Sequence, residues 1–374
     1  MDMSKMTKVE LVALCKQRGI TRYSSKTKAE LISLLQDQVI HQPTPSDSHT
    51  FIEVCAGGGG LSCGLIKAGF HPLLLNDSNK DCCQTLRLNH PRAHVVHGKM
   101  EDIDFTPYVN NVTVLAGGVP CQSFSQAGSR RGLDDDRGML FFKFIDIVAL
   151  VRPTVFLLEN VKGLLTHDKG NTFLRILQEL EALGDYNITH ACLNACNYNV
   201  PQKRERVFIV GVRNTLLSTF NFPPVSKHQP VLRDVLHNVP VSDGAVYPDN
   251  KIKLFKMIPP GGCWVNLPVE LQKEYLGNSY YSGGGKRGIL YRLDMDKPCL
   301  TLLCTPSQKQ TERCHPIEDR PLTVREYARI QTFDDDYNFV GSLSSQYRQI
   351  GNAVPVELAR QIAMCIRDML TQNQ

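Results

Sequence analysis

Short apolar runs that end in glycine alternate along this chain with longer stretches in which aliphatic residues recur every three or four positions. Phe51-Ile52-Glu53-Val54-Cys55 is the first such run and reads as a buried strand. It passes directly into Ala56-Gly57-Gly58-Gly59-Gly60 and then into Leu61-Ser62-Cys63-Gly64-Leu65-Ile66-Lys67-Ala68, which has helical patterning. Further strands are predicted at residues 72–75, 112–116, 155–158 and 208–212. Strands separated by helical segments predict an α/β fold, a mostly parallel sheet with helices on both faces. Residues 320–329 read as a helix capped by Thr323, a structural hinge, and residues 356–370 as a last helix returning to the sheet beside the glycine turn.

The two ends of this pattern differ from its middle. Thr7-Lys8-Val9-Glu10-Leu11 and Thr27-Lys28-Ala29-Glu30-Leu31 repeat one signal, a threonine cap with a glutamate three residues on, which predicts two short helices. They form a hairpin over residues 1–38 with a basic skin, and it resembles the SAP-type modules that hold DNA through its backbone. Residues 39–50 read as a linker. Past residue 214, Pro223, Pro224, Pro230, Pro240 and Pro248 interrupt the apolar pattern. The predicted organisation is therefore a main α/β domain at 51–214, a looser, smaller domain at 215–340, and a segment at 341–374 that rejoins the first domain.

Composition narrows the class. In 374 residues, 42% are hydrophobic and 21% charged, ordinary for a globular protein with a sizeable core. The start of the chain lacks a secretory signal pattern and no apolar run reaches membrane-spanning length. The expectation is an intracellular, non-membrane protein, cytoplasmic in a prokaryote, with the nucleus open in a eukaryote or virus. Thirteen cysteines include no Cys-x-x-Cys pair, so neither a disulfide framework nor a metal site is expected. Cys192 and Cys196 read as strand packing. A net charge of +5 is compatible with a polyanionic partner.

Three places carry candidate chemistry. The glycine turn lets a ligand press against bare backbone at the first strand-to-helix connection. Asp77 follows Gly57 by twenty residues, the interval at which an acid accepts hydrogen bonds from a ribose; capping of the helix starting near Ser78 is a compatible reading. The glycine spacing does not fit a dinucleotide, which points to the adenosine of another cofactor. Cys121 sits on the loop Gly117-Gly118-Val119-Pro120-Cys121-Gln122-Ser123-Phe124-Ser125-Gln126-Ala127-Gly128, where a thiol is poorly explained by packing. Glu159 ends an apolar strand, an environment that raises a carboxyl pKa.

Pro120-Cys121-Gln122, taken with Glu159-Asn160-Val161, resembles the cytosine-5 DNA methyltransferases. The other blocks of that family follow in order: the glycine turn, Asp135-Asp136-Arg137-Gly138, Gln202-Lys203-Arg204-Glu205-Arg206, the 320–333 helix, and Gln349-Ile350-Gly351-Asn352-Ala353-Val354-Pro355. The resemblance covers residues 51 to 370. It implies a Rossmann-like sheet, a smaller irregular target-recognition domain, and S-adenosylmethionine as cofactor. Carried over by matching positions, the cofactor would meet Cys55, Ala56, Gly57, Gly59, Gly60 and Leu61 of the turn. It would also meet Asp77, Ser78, Met100 and Pro120, with Asn352, Ala353 and Val354 from the closing block.

The resemblance gives Cys121 the role of adding to carbon 6 of a cytosine flipped out of the duplex, and Glu159 that of steadying ring nitrogen 3. Arg204 or Arg206 would partner Glu159 and hold the base's oxygen. Gln122, Ser123, Ser125, Arg130 and Arg137 would touch DNA, as would Lys286 and Arg287 of a basic recognition loop flanked by tyrosines. The implied partner is double-stranded DNA, and the protein is expected to act as a monomer without metal. Cys55 and Ser78 replace aromatics usual in the family, and Lys99 stands where an acid is usual; these changes touch adenine binding and leave the reacting centre intact. Two alternatives remain: the transfer-RNA-methylating branch of the family, and a catalytically inactive DNA-binding relative, against which both Cys121 and Glu159 are present.

Overall fold

The structure is a computed structural model that describes residues 6–17, 26–36, 49–119, 139–216, 218–281, 288–308 and 312–372. Both N-terminal caps form as the repeated signal predicts. Thr7 N donates to Glu10 Oε2 at 2.7 Å while Glu10 N donates to Thr7 Oγ1 at 3.3 Å, and Thr27 and Glu30 repeat the arrangement. They open α1 (Lys8–Gln17) and α2 (Lys28–Gln36), which bury Leu11, Cys15 and Leu31.

A seven-stranded sheet dominates the rest. It consists of β1 (Thr50–Val54), β2 (His71–Asp77), β3 (His94–His97), β4 (Val114–Gly117), β5 (Val155–Val161), β6 (Tyr186–Asn194) and β8 (Glu205–Arg213), in the order β3-β2-β1-β4-β5-β8-β6. The first five strands run parallel; β8 is antiparallel to both β5 and β6. Alternate side chains supply two cores, as the two-residue period of a strand requires. Phe51, Leu75, Val114 and Leu157 face α3 (Gly60–Lys67), α4 (Lys80–Asn89) and α11 (Val356–Thr371). Ile52, Leu74, Leu115 and Phe156 face α5 (Met139–Val151) and α6 (Asn171–Glu181). Helices thus cover both faces. Observed strand and helix limits differ from the expected ones by a few residues, mostly at ends; β5 runs on to Val161, so Glu159 lies inside the strand.

After β8 regular structure becomes sparse. The short β7 (Gln202–Lys203) has already left the sheet to pair with β10 (Cys299–Leu300), and β9 (Tyr291–Arg292) pairs with β11 (Arg313–Cys314). Around α7 (Asp249–Phe255) and α8 (Val269–Leu276), Tyr247, Phe255, Trp264 and Leu290 make a small apolar cluster. With few ladders available, a buried arginine satisfies the irregular backbone: Arg292 donates to the carbonyls of Phe255, Ile258, His315 and Glu318 at 2.7–3.2 Å and pairs with Asp319. Cys192 is exposed on edge strand β6, so the packing expected of it holds only for the buried Cys196.

The closing elements return to the sheet. Thr323 and Glu326 form a reciprocal cap on α9 (Val324–Ile330), and α10 (Leu343–Asn352) leads into α11. α11 lies close against α3 because Gly64 has no side chain: a Cβ there would stand 2.6 Å from Arg360 N and collide with Ala359. Gly64→Leu is therefore expected to push the helices apart, cost about 3 kcal/mol and lower the calorimetric melting midpoint. Gly98→Ala, where an added Cβ meets nothing within 4 Å, should leave it unchanged.

Candidate active site

A cavity of about 520 Å³ opens at the carboxyl ends of the parallel strands. This is where ligands enter open α/β sheets. Its floor is the turn after β1, contributing Cys55, Ala56, Gly57, Gly60 and Leu61. Cys55, Gly57 and Gly59 all have left-handed backbone, with φ of 54°, 56° and 85°. Glycine takes that conformation freely, whereas Cys55 is held in it by its surroundings. A Cβ on Gly57 would meet nothing within 4 Å, so the turn presents open backbone.

Asp77 closes the next wall. One carboxylate oxygen accepts from Gly57 N and the other from Asn79 N, both at 2.8 Å. The acid is thereby fixed to the glycine turn. Asn79, not Asp77, caps α4, accepting from Asp81 N and Cys82 N. Ser78, Asn79 and Cys82 line the same wall. On the opposite side α10 presents Ser345, Arg348, Gln349 and Asn352 at helical spacing, followed by Ala353 and Val354.

Deeper in the cavity stand Glu159 and Arg206. The antiparallel β5–β8 register pairs Val161 with Arg206, bringing two residues distant in sequence to one end of the sheet. Arg206 Nε lies 2.9 Å from Glu159 Oε1, an ion pair lacking the alignment of a hydrogen bond, so that this buried oxygen has no hydrogen-bond partner among the described residues. Burial raises the Glu159 pKa, with Arg206 and Arg204 opposing the shift. Burial lowers that of Arg206, against the pull of Glu159. Asn160 Nδ2 donates to Val119 O at 2.9 Å, anchoring the chain where β4 leads toward the cysteine loop.

Most of the expected contacts converge here, but not all. Met100 is buried in the apolar cluster with Phe105 and Tyr108 and is not among the residues that line the cavity. Gly59 turns its back on it to start α3. Arg204 is the clearest correction to the sequence reading. It is fully buried, and its guanidinium donates to the carbonyls of Leu302 at 3.1 Å, Gly351 at 2.8 Å and Ala353 at 3.0 Å. It lies between β7 and β8, where strand alternation lapses, and so does not share the outlook of Arg206. Pro120, Cys121, Gln122, Ser123, Ser125, Arg130, Arg137, Lys286 and Arg287 lie outside the described residues.

Sequence reasoning missed Glu53, Asn79, Cys82, Ser345, Arg348 and Gln349 as lining residues. Glu53 was legible in principle: an acid within a five-residue strand buried throughout has to serve some purpose. Ser62 Oγ donates to its carboxylate.

An open sheet with a glycine turn after its first strand, an acid after its second and a carboxyl–guanidinium pair facing the same cavity defines a Rossmann-like methyltransferase. The model of the C-5 cytosine-specific DNA methylases matches residues 49–368, and the chain belongs to that family. Type II methyltransferase M.Eco47II of Escherichia coli is 48% identical over 331 residues, covering 86% of this chain and 79% of that protein. Type II methyltransferase M.Sau96I of Staphylococcus aureus is 45% identical over 331 residues, covering 87% and 77%. A solved structure assigned as a DNA modification methyltransferase of an E. coli prophage is similar with a TM-score of 0.66 and 26% identity, covering 87% of this chain and all of that one. The protein is thus a DNA cytosine-5 methyltransferase, and the family implies S-adenosylmethionine as methyl donor. Among the described residues, no helix is long and apolar enough to cross a membrane.

Burial pushes the Glu53 pKa up to about 8, with Ser62 opposing and the nearby Asp77 and Glu159 adding to the rise. The folded protein then holds a proton that the unfolded chain releases near pH 4.5, so stability falls as pH rises from about 4.5 to 8. Glu53→Gln should flatten that decline, read as a smaller difference between melting midpoints at pH 5 and pH 8 than the parent shows.

Proposed function

We propose that Cys121, Glu159 and Arg206 carry the methylation and that the glycine turn, Asp77 and the Asn352-Ala353-Val354 block seat the cofactor. The observation that supports this most is that one cavity is bordered by both the open turn with its acid and the buried carboxyl paired with Arg206. The residues fit the cofactor chemically. A carboxylate fixed by two backbone amides retains lone pairs for a ribose diol, and Gly57 leaves room for the chain beyond it. When bound, S-adenosylmethionine supplies an electrophilic methyl on a sulfonium.

Carbon 5 of cytosine is a poor nucleophile until electron density is pushed into the ring. Cys121 thiolate bonds to carbon 6, the electrons of the 5,6 double bond move toward carbon 5 and the nitrogen 3 side, and Glu159 donates its proton to nitrogen 3. Burial, by raising its pKa, favours the protonated form that this step requires. Arg206 holds Glu159 in place and faces the base's oxygen. Once carbon 5 bears the methyl, its proton is lost to solvent, the Cys121 sulfur departs as the 5,6 double bond re-forms, and nitrogen 3 returns its proton to Glu159. The base reaches the cavity by flipping out of double-stranded DNA. Gln122, Ser123, Ser125, Arg130 and Arg137 are read as closing over it, and Lys286 and Arg287 as reading its surroundings. Residues 51–214 and 341–374 form the catalytic body in this reading, with 215–340 as the recognition domain.

Transfer of labelled methyl from S-adenosylmethionine to duplex DNA tests the assignment. Cys121→Ala should abolish transfer and fail to form the covalent complex that the parent makes with 5-fluorocytosine DNA; a surviving complex would assign the nucleophile elsewhere. Glu159→Gln, which cannot transfer a proton, should lower kcat by about 10²–10⁴-fold. The parent's kcat should fall on the alkaline side as Glu159 deprotonates, and that limb should be missing from the Gln variant's pH profile.

A further inference from the structure

The turn proposed to seat the cofactor is held from its far side by a residue 279 positions away. Tyr337 is buried, and its hydroxyl donates to the carbonyl of Gly58 at 2.9 Å. A Cβ on Gly59 would collide with that same hydroxyl, so the glycine there is required by the tyrosine as well as by its backbone angle. His90 Nε2 stands 3.4 Å from the hydroxyl, and its ring lies 5.7 Å from the tyrosine ring. Burial lowers the His90 pKa to about 4, keeping the imidazole neutral beside the turn.

Tyr337 is not an isolated contact. Its ring packs at 4.9 Å from Phe333 and 5.2 Å from Phe339. The chain around it is bonded along α4: Asn89 Nδ2 donates to Asn338 O at 2.8 Å, Asn338 N to Asn89 Oδ1 at 2.9 Å, and Val340 N to Thr85 Oγ1 at 2.9 Å. Lys67, at the end of α3, pairs with Asp334 at 2.7 Å. Residues 334–340 therefore form a strap over α3 and α4, from which one hydroxyl reaches the turn.

We propose that the Tyr337 hydroxyl is a positioning group for the methyl donor: by holding the Gly58 carbonyl it fixes the turn in its binding-competent shape without touching the ligand. Glycine-rich backbone with three left-handed residues in five has other conformations within reach. A ligand that binds one of them is weakened by the fraction of time the turn spends elsewhere. The Gly57 amide bonded to Asp77 belongs to the same turn, so a reoriented Gly58 peptide also disturbs the acid. The inference rests on the cofactor site proposed above.

The test uses full-length protein, calorimetric titration with S-adenosylhomocysteine, and steady-state methylation of duplex DNA. Tyr337→Phe keeps the ring and removes the bond. It should raise the dissociation constant, and the KM for S-adenosylmethionine, by about tenfold, with kcat at saturating cofactor and the KM for DNA unchanged. Phe with unaltered affinity, whether or not its melting midpoint falls, overturns the proposal. Asn89→Ala cuts the strap from α4 away from the turn; it should lower the melting midpoint and leave affinity intact, and an equal loss of affinity would take the role from the hydroxyl. Asp77→Ala separates the two readings: if it binds S-adenosylhomocysteine as well as the parent, the cofactor placement fails; if it binds weakly while Tyr337→Phe binds normally, only the role of Tyr337 fails.

Discussion

One buried cation joins the three parts of this chain that the cavity needs. Among the described residues Arg204 has no carboxylate within hydrogen-bond reach and donates to the carbonyls of Leu302, Gly351 and Ala353. Burial drives its pKa well below the usual value, with Arg206 reinforcing the shift. The two terminal nitrogens of the guanidinium are satisfied by those carbonyls, which offsets part of the cost of burying the charge. Gln202 and Gln331 extend it: Gln202 accepts from Leu302 N and donates to Gln331, whose amide donates to Ile350 and Ala353. The β7 segment, the return from the irregular region and the C-terminal end of α10 are thereby locked in one register. That lock adds to the close fit of Gly60 against Ala353 and Val354 in holding this block beside the glycine turn.

The electrostatics of the cavity follow from the same burial. Glu159 and Arg206 each lose solvation, and the pair is compensated chiefly by mutual attraction. Exposed pairs such as Arg233 with Asp296 face no such conflict and contribute little to stability. At the cavity floor Glu53 keeps its proton into the neutral range and so adds no negative charge beneath Glu159. A second carboxylate there would oppose ionisation of the first still further.

Much of this was readable in advance where a residue's reason is local. The glycine turn, the reciprocal caps at Thr7, Thr27 and Thr323 and the apolar strands state their own conformation, and Asp77 is separated from Gly57 by an informative interval. What escaped depends on contacts distant in sequence. Arg204 and Arg206 look equivalent as letters, yet a break between two strands sends one into backbone carbonyls and the other toward an acid. Ser345, Arg348 and Gln349 were hidden because nothing local says which face of α10 meets a cavity. Met100 was carried over by position, and packing against Phe105 and Tyr108 decided otherwise. Tyr337 gave no signal at all, since an aromatic in a loop is usually only packing.

The close seating of α11 on α3, made possible by Gly64, has a consequence for how the protein comes into being. A ribosome releases the first glycine turn some three hundred residues before the helix that backs it. Until α10 and α11 emerge, the nascent polypeptide has the turn but not the wall opposite. The cavity is thus a product of chain segments made far apart in time, and its two walls meet only after α10 and α11 have been synthesised.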